Sequence, residues 1–97
     1  MAVNIEELQW FVTLAETEHV TDAAAELGIS QPTLSRSLAR LEAQVGAPLF
    51  ARLNRRLQLN SYGEILLEHA RRSIGEMRSA TERIAALRDP ETGTVRL

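Results

Sequence analysis

The arginines of this 97-residue sequence are the side chains whose type and spacing point most directly to binding chemistry. Residues 30–60 contain five arginines against a single acid, Glu42. The five are Arg36, Arg40, Arg52, Arg55 and Arg56. A guanidinium group presents a planar fork of donors that matches a phosphate group or the edge of a guanine base. This segment is therefore predicted to face an anion.

The rest of the chain is acidic or balanced, so the net charge of −2 conceals the basic segment. Residues 1–29 carry six acids and no base, and residues 61–97 carry six of each sign. The chain has no lysine, which a genomic bias toward arginine codons explains better than a binding role does. By net charge alone the sequence fails the usual test for a nucleic-acid-binding domain.

Residues suited to catalysis or to metal binding are scarce. The chain has no cysteine, and its two histidines, His19 and His69, are fifty positions apart. Its five glycines are isolated, so they form no phosphate-binding loop. A nucleophile–histidine–acid relay requires three groups that converge, and the sequence offers no such set. We therefore expect no enzyme activity, no catalytic residue, no metal site and no cofactor.

Length and hydropathy place the chain among small, non-membrane proteins. No apolar run approaches the roughly 18 residues of a membrane span, and no signal peptide is visible. The absence of cysteine fits a reducing compartment, so a cytoplasmic location is expected. The aromatic content of 4% is too low for a platform that stacks single-stranded bases.

The first helix is predicted to begin after Asn4, which caps it, with Glu7 at the spacing of a capping box. One apolar stripe then runs along the helix at helical spacing. It consists of Ile5, Leu8, Phe11, Val12 and Ala15. Trp10 and Leu14 lie off that stripe, so they predict a second apolar face with a partner of its own.

Two further helices follow with only a tight turn between them. Thr21 is the expected cap of the second helix and Gly28 its end, while Ser30 caps a third helix over residues 31–45. Four apolar residues of the third helix lie within a sector of about 60°. They are Leu34, Leu38, Leu41 and Val45. The opposite side contains no acid, whereas a merely solvated face usually mixes both signs.

A short hairpin and a long helix complete the expected fold. In residues 49–60, Leu57 and Leu59 alternate with Gln58 at the period of a strand, and residues 53–56 form the turn. A helix then runs over residues 62–88, capped by Asn60 or Ser61. It carries a coiled-coil-like apolar seam over about three heptads. The seam consists of Leu66, Leu67, Ala70, Ile74, Met77, Ala80, Thr81, Ile84 and Leu87.

Three short helices followed by an arginine-tipped hairpin suit the reading of duplex DNA. In a helix-turn-helix the third helix enters the major groove by its N-terminal turn, and a hairpin wing contacts the backbone or the minor groove. The residues expected to bind DNA are Ser30, Gln31, Pro32, Thr33, Ser35, Arg36, Arg40, Arg52, Asn54, Arg55 and Arg56. For Arg52, bracing against Glu42 or the long helix is an equal alternative. Arg55 and Arg56 have no acid nearby in sequence.

The seam of the long helix predicts a homodimer, because one small domain cannot cover it. The expected interface consists of Trp10, Leu14, Leu66, Leu67, Ala70, Ile74, Met77, Thr81, Ile84 and Leu87. A two-fold axis would place two reading helices on one side of DNA, with half-sites related by a pseudo-palindrome.

The sequence resembles the N-terminal region of LysR-type transcriptional regulators. The resemblance rests on residues 21–35, TDAAAELGISQPTLS, and on the series LE, G, PLF and R within residues 41–52. It implies a mainly α fold, a winged helix-turn-helix of three helices and a short β-hairpin wing, followed by a long linker helix. It also implies a bacterial regulator, dimeric through the linker helix and often tetrameric when complete. A small-molecule inducer would bind only a C-terminal domain that this chain lacks.

The resemblance implies domain boundaries, and three residues of this chain depart from the usual pattern of the family. Residues 1–60 form the winged helix-turn-helix, with the helix-turn-helix at about 20–39 and the wing at about 49–60. Residues 61–89 form the linker and dimerisation helix, and residues 90–97 begin the effector domain. His19, Asp22 and Asn60 differ from the usual pattern, and Asp22 removes a phosphate contact from the second helix.

A different class of function also fits the sequence. The winged helix could serve as a scaffold in a protein-interaction module that does not bind DNA. The acidic first helix and the negative net charge motivate that alternative. The position of the basic segment argues against it, because that segment coincides with the face that would read DNA.

Overall fold

The computed structural model describes residues 3–89, which form four helices and a two-stranded antiparallel hairpin. The element order is α1 Ile5–Thr17, α2 Val20–Leu27, α3 Gln31–Val45, β1 Phe50–Leu53, β2 Arg56–Leu59 and α4 Ser61–Arg88. The predicted winged helix-turn-helix with a long C-terminal helix is confirmed. The sequence expectations for residues 90–97 lie outside the described residues.

Helix α1 begins and ends as local chemistry requires, but its capping box is only half formed. The Asn4 side-chain oxygen accepts a hydrogen bond from the backbone N–H of Glu7 at 2.8 Å. The Glu7 carboxylate turns away from the cap and binds Arg40 instead. The helix ends at Glu18, a left-handed residue with φ of 66° whose N–H donates to the Leu14 carbonyl.

Helix α2 starts two residues earlier than the sequence predicts. His19, not Thr21, occupies the cap position, and its side chain makes no capping hydrogen bond. The Thr21 hydroxyl bonds the Gln31 side chain at 3.1 Å, so it is occupied by an interaction between helices. The predicted end at Gly28 is confirmed, with a left-handed backbone at φ of 71°.

Helix α3 and the hairpin follow the predicted boundaries. Ser30 accepts a hydrogen bond from the Thr33 backbone, and Gly46 ends α3 in the left-handed conformation. In the hairpin, Phe50 pairs with Leu59 and Leu53 with Arg56, which leaves Asn54 and Arg55 at the turn. Asn54 has a φ of 58°, a conformation that Asn tolerates better than most residues.

The core lies where α1, α2 and α3 meet the base of the hairpin. Its fully enclosed large side chains are Leu14, Leu34, Leu41 and Leu49. Phe11 and Phe50 meet edge to face with ring centroids 5.7 Å apart, which joins α1 to the wing. Of the predicted α1 stripe, Phe11 lies in the core, Leu8, Val12 and Ala15 pack against it, and only Ile5 is exposed. Leu14, which the sequence pattern assigns to a separate face, is enclosed in the same core. Helix α1 contacts α2, α3 and α4, so it buries more than one face.

Helix α4 is fixed to the domain at its first turns and then extends beyond it. Asn60 caps α4 by accepting a hydrogen bond from the Gly63 N–H, and its side-chain amide donates to the Pro48 carbonyl. Ala70 is enclosed, whereas Met77, Ile84 and Leu87 are more than half exposed. Within residues 3–89 no helix is long and apolar enough to cross a membrane.

Gly63 is the position where α4 approaches the loop before the wing most closely. A Cβ atom there would overlap the carbonyl oxygen of Leu49 and lie 2.6 Å from Cδ2 of Leu59. Gly75, in the same helix, has nothing within 4 Å of an added Cβ.

These two glycines give a matched pair of stability variants. Gly63→Ala should lower the free energy of unfolding by about 1–3 kcal/mol, because the new methyl group displaces backbone. Gly75→Ala should raise it by up to about 1 kcal/mol, because Ala has the higher helix propensity and meets no obstacle. Urea denaturation followed by circular dichroism at one protein concentration measures both. A stable Gly63→Ala variant would contradict the close approach.

Candidate nucleic-acid interface

The N-terminal turns of α3 form an exposed polar surface without an acid. Ser30, Gln31, Pro32, Ser35 and Arg36 are all exposed. Thr33 is half-buried, and its hydroxyl lies 2.7 Å from that of Ser30. The positive end of the helix dipole lies here, so this surface favours acceptor groups and negative charge.

Gln31 is held by a contact that sequence reasoning missed. The Thr21 hydroxyl at the start of α2 donates to Gln31 Oε1 over 3.1 Å. The Gln31 side chain is thereby restricted to one side of the helix while its amide group remains exposed. A contact between residues ten positions apart depends on the angle between the two helices, so sequence spacing could not reveal it.

A cleft of about 380 Å³ separates the wing from the starts of α2 and α3. Its walls contain the three arginines of the hairpin together with polar residues of both helices. The lining residues are His19, Val20, Thr21, Asp22, Gln31, Arg52, Asn54, Arg55, Arg56 and Leu57. The structure thus brings Gln31 and the wing residues Arg52, Asn54, Arg55 and Arg56 together at one site, whereas Arg36 and Arg40 are not among the cleft residues.

The three wing arginines differ in their partners. Arg56 forms an ion pair with Glu18, an acid 38 positions away that the lack of acids nearby in sequence did not reveal. Arg52 and Arg55 make no ion pair within residues 3–89. Arg52 forms no ion pair with Glu42 within the same residues, and the Glu42 carboxylate accepts the Leu49 N–H at 2.8 Å. Two guanidinium groups of the wing therefore remain available to an anion.

Arg40 is occupied by an intramolecular contact. Its Nε and Nη2 atoms both donate to Glu7 Oε2, at 3.0 and 2.7 Å. The Glu7 side chain is only 8% exposed, against 55% for Arg40. Because a buried carboxylate needs a compensating cation, Arg40 holds α3 against α1. Its assignment to DNA stays a prediction.

The residues expected at a dimer interface fall into three groups. Leu14 and Ala70 are 1% exposed within a single chain, so they have no surface left for a second copy, and that expectation is corrected. Trp10, Leu66 and Leu67 are half-buried against the core. Ile74 is half-buried as well. The exposed members are Met77, Thr81, Ile84 and Leu87.

An apolar groove that the sequence did not reveal lies where the end of α3 meets the start of α4. Its volume is about 240 Å³, and we call it the α4 groove. It is lined by Val45, Ala47, Leu49, Tyr62, Ile65, Leu66 and His69. The residues come from two helices and a loop, which is why no single periodic pattern predicted it.

Comparison with known proteins identifies the same architecture. Residues 5–64 match the family of bacterial regulatory helix-turn-helix proteins, lysR family. The HTH-type transcriptional regulator YybE of Bacillus subtilis is 48% identical over 92 residues, and CfxR of Cupriavidus necator is 39% identical over 94 residues. The matched parts cover 95% and 97% of this chain but 32% and 30% of those relatives. This chain spans about a third of their length.

Solved structures agree with the sequence comparison. The DNA-binding domain of CbnR, crystallised with DNA, superposes with a TM-score of 0.84 at 32% identity, over 88% of this chain and 98% of that one. DarR of Vibrio fischeri, also in complex with DNA, gives a TM-score of 0.85 at 29% identity, over 90% of this chain and 30% of DarR.

The Glu7–Arg40 pair should show an asymmetric response to mutation. Arg40→Gln should lower the free energy of unfolding by about 1.5–3 kcal/mol, because a buried carboxylate loses its charged donor. Glu7→Gln should cost less, because the remaining guanidinium is half in water. Arg71→Gln is the control: its pair with Glu16 is 56% exposed on both sides, so the change should stay within about 1 kcal/mol. Urea denaturation would refute the assignment if Arg40→Gln matched Arg71→Gln.

Proposed function

Because this chain belongs to the lysR family of bacterial regulatory helix-turn-helix proteins, we propose that it binds duplex DNA with sequence preference as part of a transcription regulator. The observation that carries the proposal is the acid-free, exposed start of α3 beside a cleft that contains two arginines without an ion pair in residues 3–89. Such binding takes place in the bacterial cytoplasm, where the chromosome lies.

The start of α3 supplies the groups that read bases. An α-helix fits the major groove, which is about 12 Å wide, and its N-terminal turn comes closest to the base edges. Gln31 has the donor and acceptor of a bidentate contact with adenine, and Arg36 the fork that binds guanine or a phosphate. Ser30, Thr33 and Ser35 offer hydroxyls to the adjacent backbone, and Pro32 presents an apolar surface to a thymine methyl group.

The wing supplies charge on the far side of the cleft. Arg52 and Arg55 bind phosphates of the strand that enters the cleft, and Asn54 at the turn adds a polar contact to the sugar-phosphate backbone. Phosphate contacts fix the orientation of the protein on the duplex, whereas the groups on α3 distinguish sequences. Arg52, Arg55 and Gln31 line one cleft, so a single DNA backbone can contact both elements.

We further propose that the chain works as a homodimer through an apolar stripe of α4. The stripe lies at spacings of three and four residues within a sector of about 80°. We define the α4 stripe as Tyr62, Leu66, His69, Ser73, Met77, Ala80, Ile84 and Leu87. Its first three members line the α4 groove, and its last members are exposed beyond the domain. The stripe replaces the predicted interface through Leu14 and Ala70.

An antiparallel pairing of two α4 helices would bury both ends of the α4 stripe. A two-fold axis near position 75 would oppose Tyr62 to Leu87 and Leu66 to Ile84, with the smaller Ser73 and Ala80 toward the middle. The projecting end of each helix then covers the α4 groove of the other copy. A parallel pair would leave the grooves open and the projecting ends together. The two-fold symmetry places the two α3 helices on related half-sites of a pseudo-palindromic operator.

Functions beyond DNA binding belong to the remaining length of such regulators. The matched relatives are about three times as long as this chain. We propose that the response to a small-molecule inducer, and assembly into a tetramer, depend on that remaining part.

Base reading by Gln31 can be tested by selection from a randomised duplex pool. Gln31→Ala should relax the preference at one position of each half-site and cost about 1–3 kcal/mol against the selected site. Gln9→Ala, an exposed glutamine on α1, is the control and should leave the selected sequences unchanged. If Gln31→Ala weakens selected and random duplexes equally, Gln31 does not read bases. A wild-type chain that binds no duplex at low salt would refute DNA binding and favour a protein-interaction module.

Dimerisation can be tested with a variant that leaves the domain core intact. Ile84 is 62% exposed in one chain, so Ile84→Glu should not unfold the domain but should yield a monomer in sedimentation experiments at micromolar concentration. Its affinity for a two-half-site duplex should fall about 10²-fold or more, because bivalent binding is lost. Ser79→Glu, exposed and outside the stripe, is the control. A wild-type monomer that still binds such a duplex tightly would contradict the dimer.

A further inference from the structure

Glu18 is the residue through which α1 holds the wing. Its N–H donates to the Leu14 carbonyl at 2.8 Å and so ends α1. Its own carbonyl accepts the Leu57 N–H at 2.8 Å, and its carboxylate binds the Arg56 guanidinium. One residue therefore contacts both the backbone and a side chain of β2.

The backbone of Glu18 has a conformation that a glutamate rarely adopts, so the surrounding contacts of the fold hold it there. Its φ of 66° lies in the left-handed region, which non-glycine residues with a long side chain rarely occupy. A glycine would adopt that conformation without strain, as Gly28 and Gly46 do at the ends of α2 and α3. A glycine, however, could not supply the carboxylate that reaches Arg56. The position thus combines a strained helix end with a specific ion pair.

We propose that Glu18 is a positioning residue that fixes the wing and withholds Arg56 from DNA phosphates, so that only Arg52 and Arg55 neutralise them. This inference rests on the proposed function, since it concerns how the wing binds DNA. The three arginines line the same cleft, but only Arg56 has an acidic partner within the described residues 3–89.

The physical reason lies in counterion release. A free arginine that binds a phosphate releases the cation condensed there, and this release gives protein–DNA affinity its dependence on salt. If Arg56 exchanged Glu18 for a phosphate, the freed carboxylate would need a new counter-charge, so little net release would follow. Each neutralised phosphate steepens the logarithmic salt dependence by about 0.9. Glu18 thus removes about one phosphate contact per subunit from the sequence-independent part of the affinity for DNA.

Asp22 provides a matched control in the same cleft. It is exposed at the start of α2, and it makes no ion pair within the described part of the chain. Asp22→Asn removes one negative charge beside the wing without releasing an arginine. It should raise the affinity for duplex DNA mainly at the lowest salt concentrations and change the slope by much less than about 0.9 for each bound subunit, because salt screens the repulsion of one unpaired charge.

The experiment measures the affinity of the 97-residue chain for a fluorescein-labelled 25-base-pair duplex of mixed sequence between 25 and 250 mM NaCl. Arg55→Gln should reduce the slope by about 0.9 for each bound subunit, whereas Arg56→Gln should leave it unchanged. Glu18→Gln should steepen the slope by about 0.9 for each bound subunit, because Arg56 is released. The double variant Glu18→Gln with Arg56→Gln should return to the wild-type slope. Circular dichroism establishes that each variant is folded.

Three results would overturn the inference. Arg56→Gln could reduce the slope as much as Arg55→Gln, Glu18→Gln could behave like Asp22→Asn, or the double variant could keep the steeper slope. All three leave DNA binding itself intact, so they refute the role of Glu18 alone. A wild-type chain that fails to bind the duplex at 25 mM NaCl would refute the proposed function and this inference together.

Discussion

The backbone of Leu49 is the point on which the relative placement of α3, the wing and α4 depends. Leu49 is 1% exposed, so both of its polar backbone groups need partners. Its N–H donates to the Glu42 carboxylate at the end of α3, and its carbonyl accepts the Asn60 N–H at the start of α4. The same carbonyl lies against Gly63, where a larger residue would not fit. The base of the wing is thus fixed to helices on both sides.

A second constraint is the distribution of acids on α1. Glu7 binds Arg40 of α3, Glu16 binds Arg71 of α4, and Glu18 binds Arg56 of β2. These three acids are half of the six in residues 1–29, and each forms an ion pair with an arginine of another element. Within residues 30–60, the arginines that form no ion pair in the described part of the chain are Arg36 at the start of α3 and Arg52 and Arg55 in the wing. A chain of net charge −2 can therefore present a basic surface on one side.

Helix α4 divides its apolar residues between two tasks. Leu66, Leu67 and Ala70 pack against the core of their own chain, and they hold the helix to the domain. Met77, Ile84 and Leu87 lie beyond the reach of that core and are exposed. A single periodic seam in the sequence thus corresponds to two surfaces in the structure, because the domain is shorter than the helix. The proposed dimer would cover the second surface with the α4 groove of another copy.

The sequence by itself determined most of the features that depend on neighbours within about four residues. Asn4, Ser30 and Asn60 cap their helices, Gly28 and Gly46 end two of them, and the hairpin turns within the predicted residues 53–56. These signals act within one turn of backbone, so reading along the chain is sufficient. The order of the elements and the quoted motif were enough to place the chain in its family.

The tertiary structure alone decided which arginines are free and which apolar face of α1 is buried. Arg40 pairs with an acid 33 positions away and Arg56 with one 38 positions away. Leu14 lies in the core because α1 is surrounded by three helices, whereas a single periodic stripe assumes one buried side. Contacts of this kind depend on the angles between packed elements, and those angles are determined by the shape of the whole core, not by the spacing of residues within any one helix.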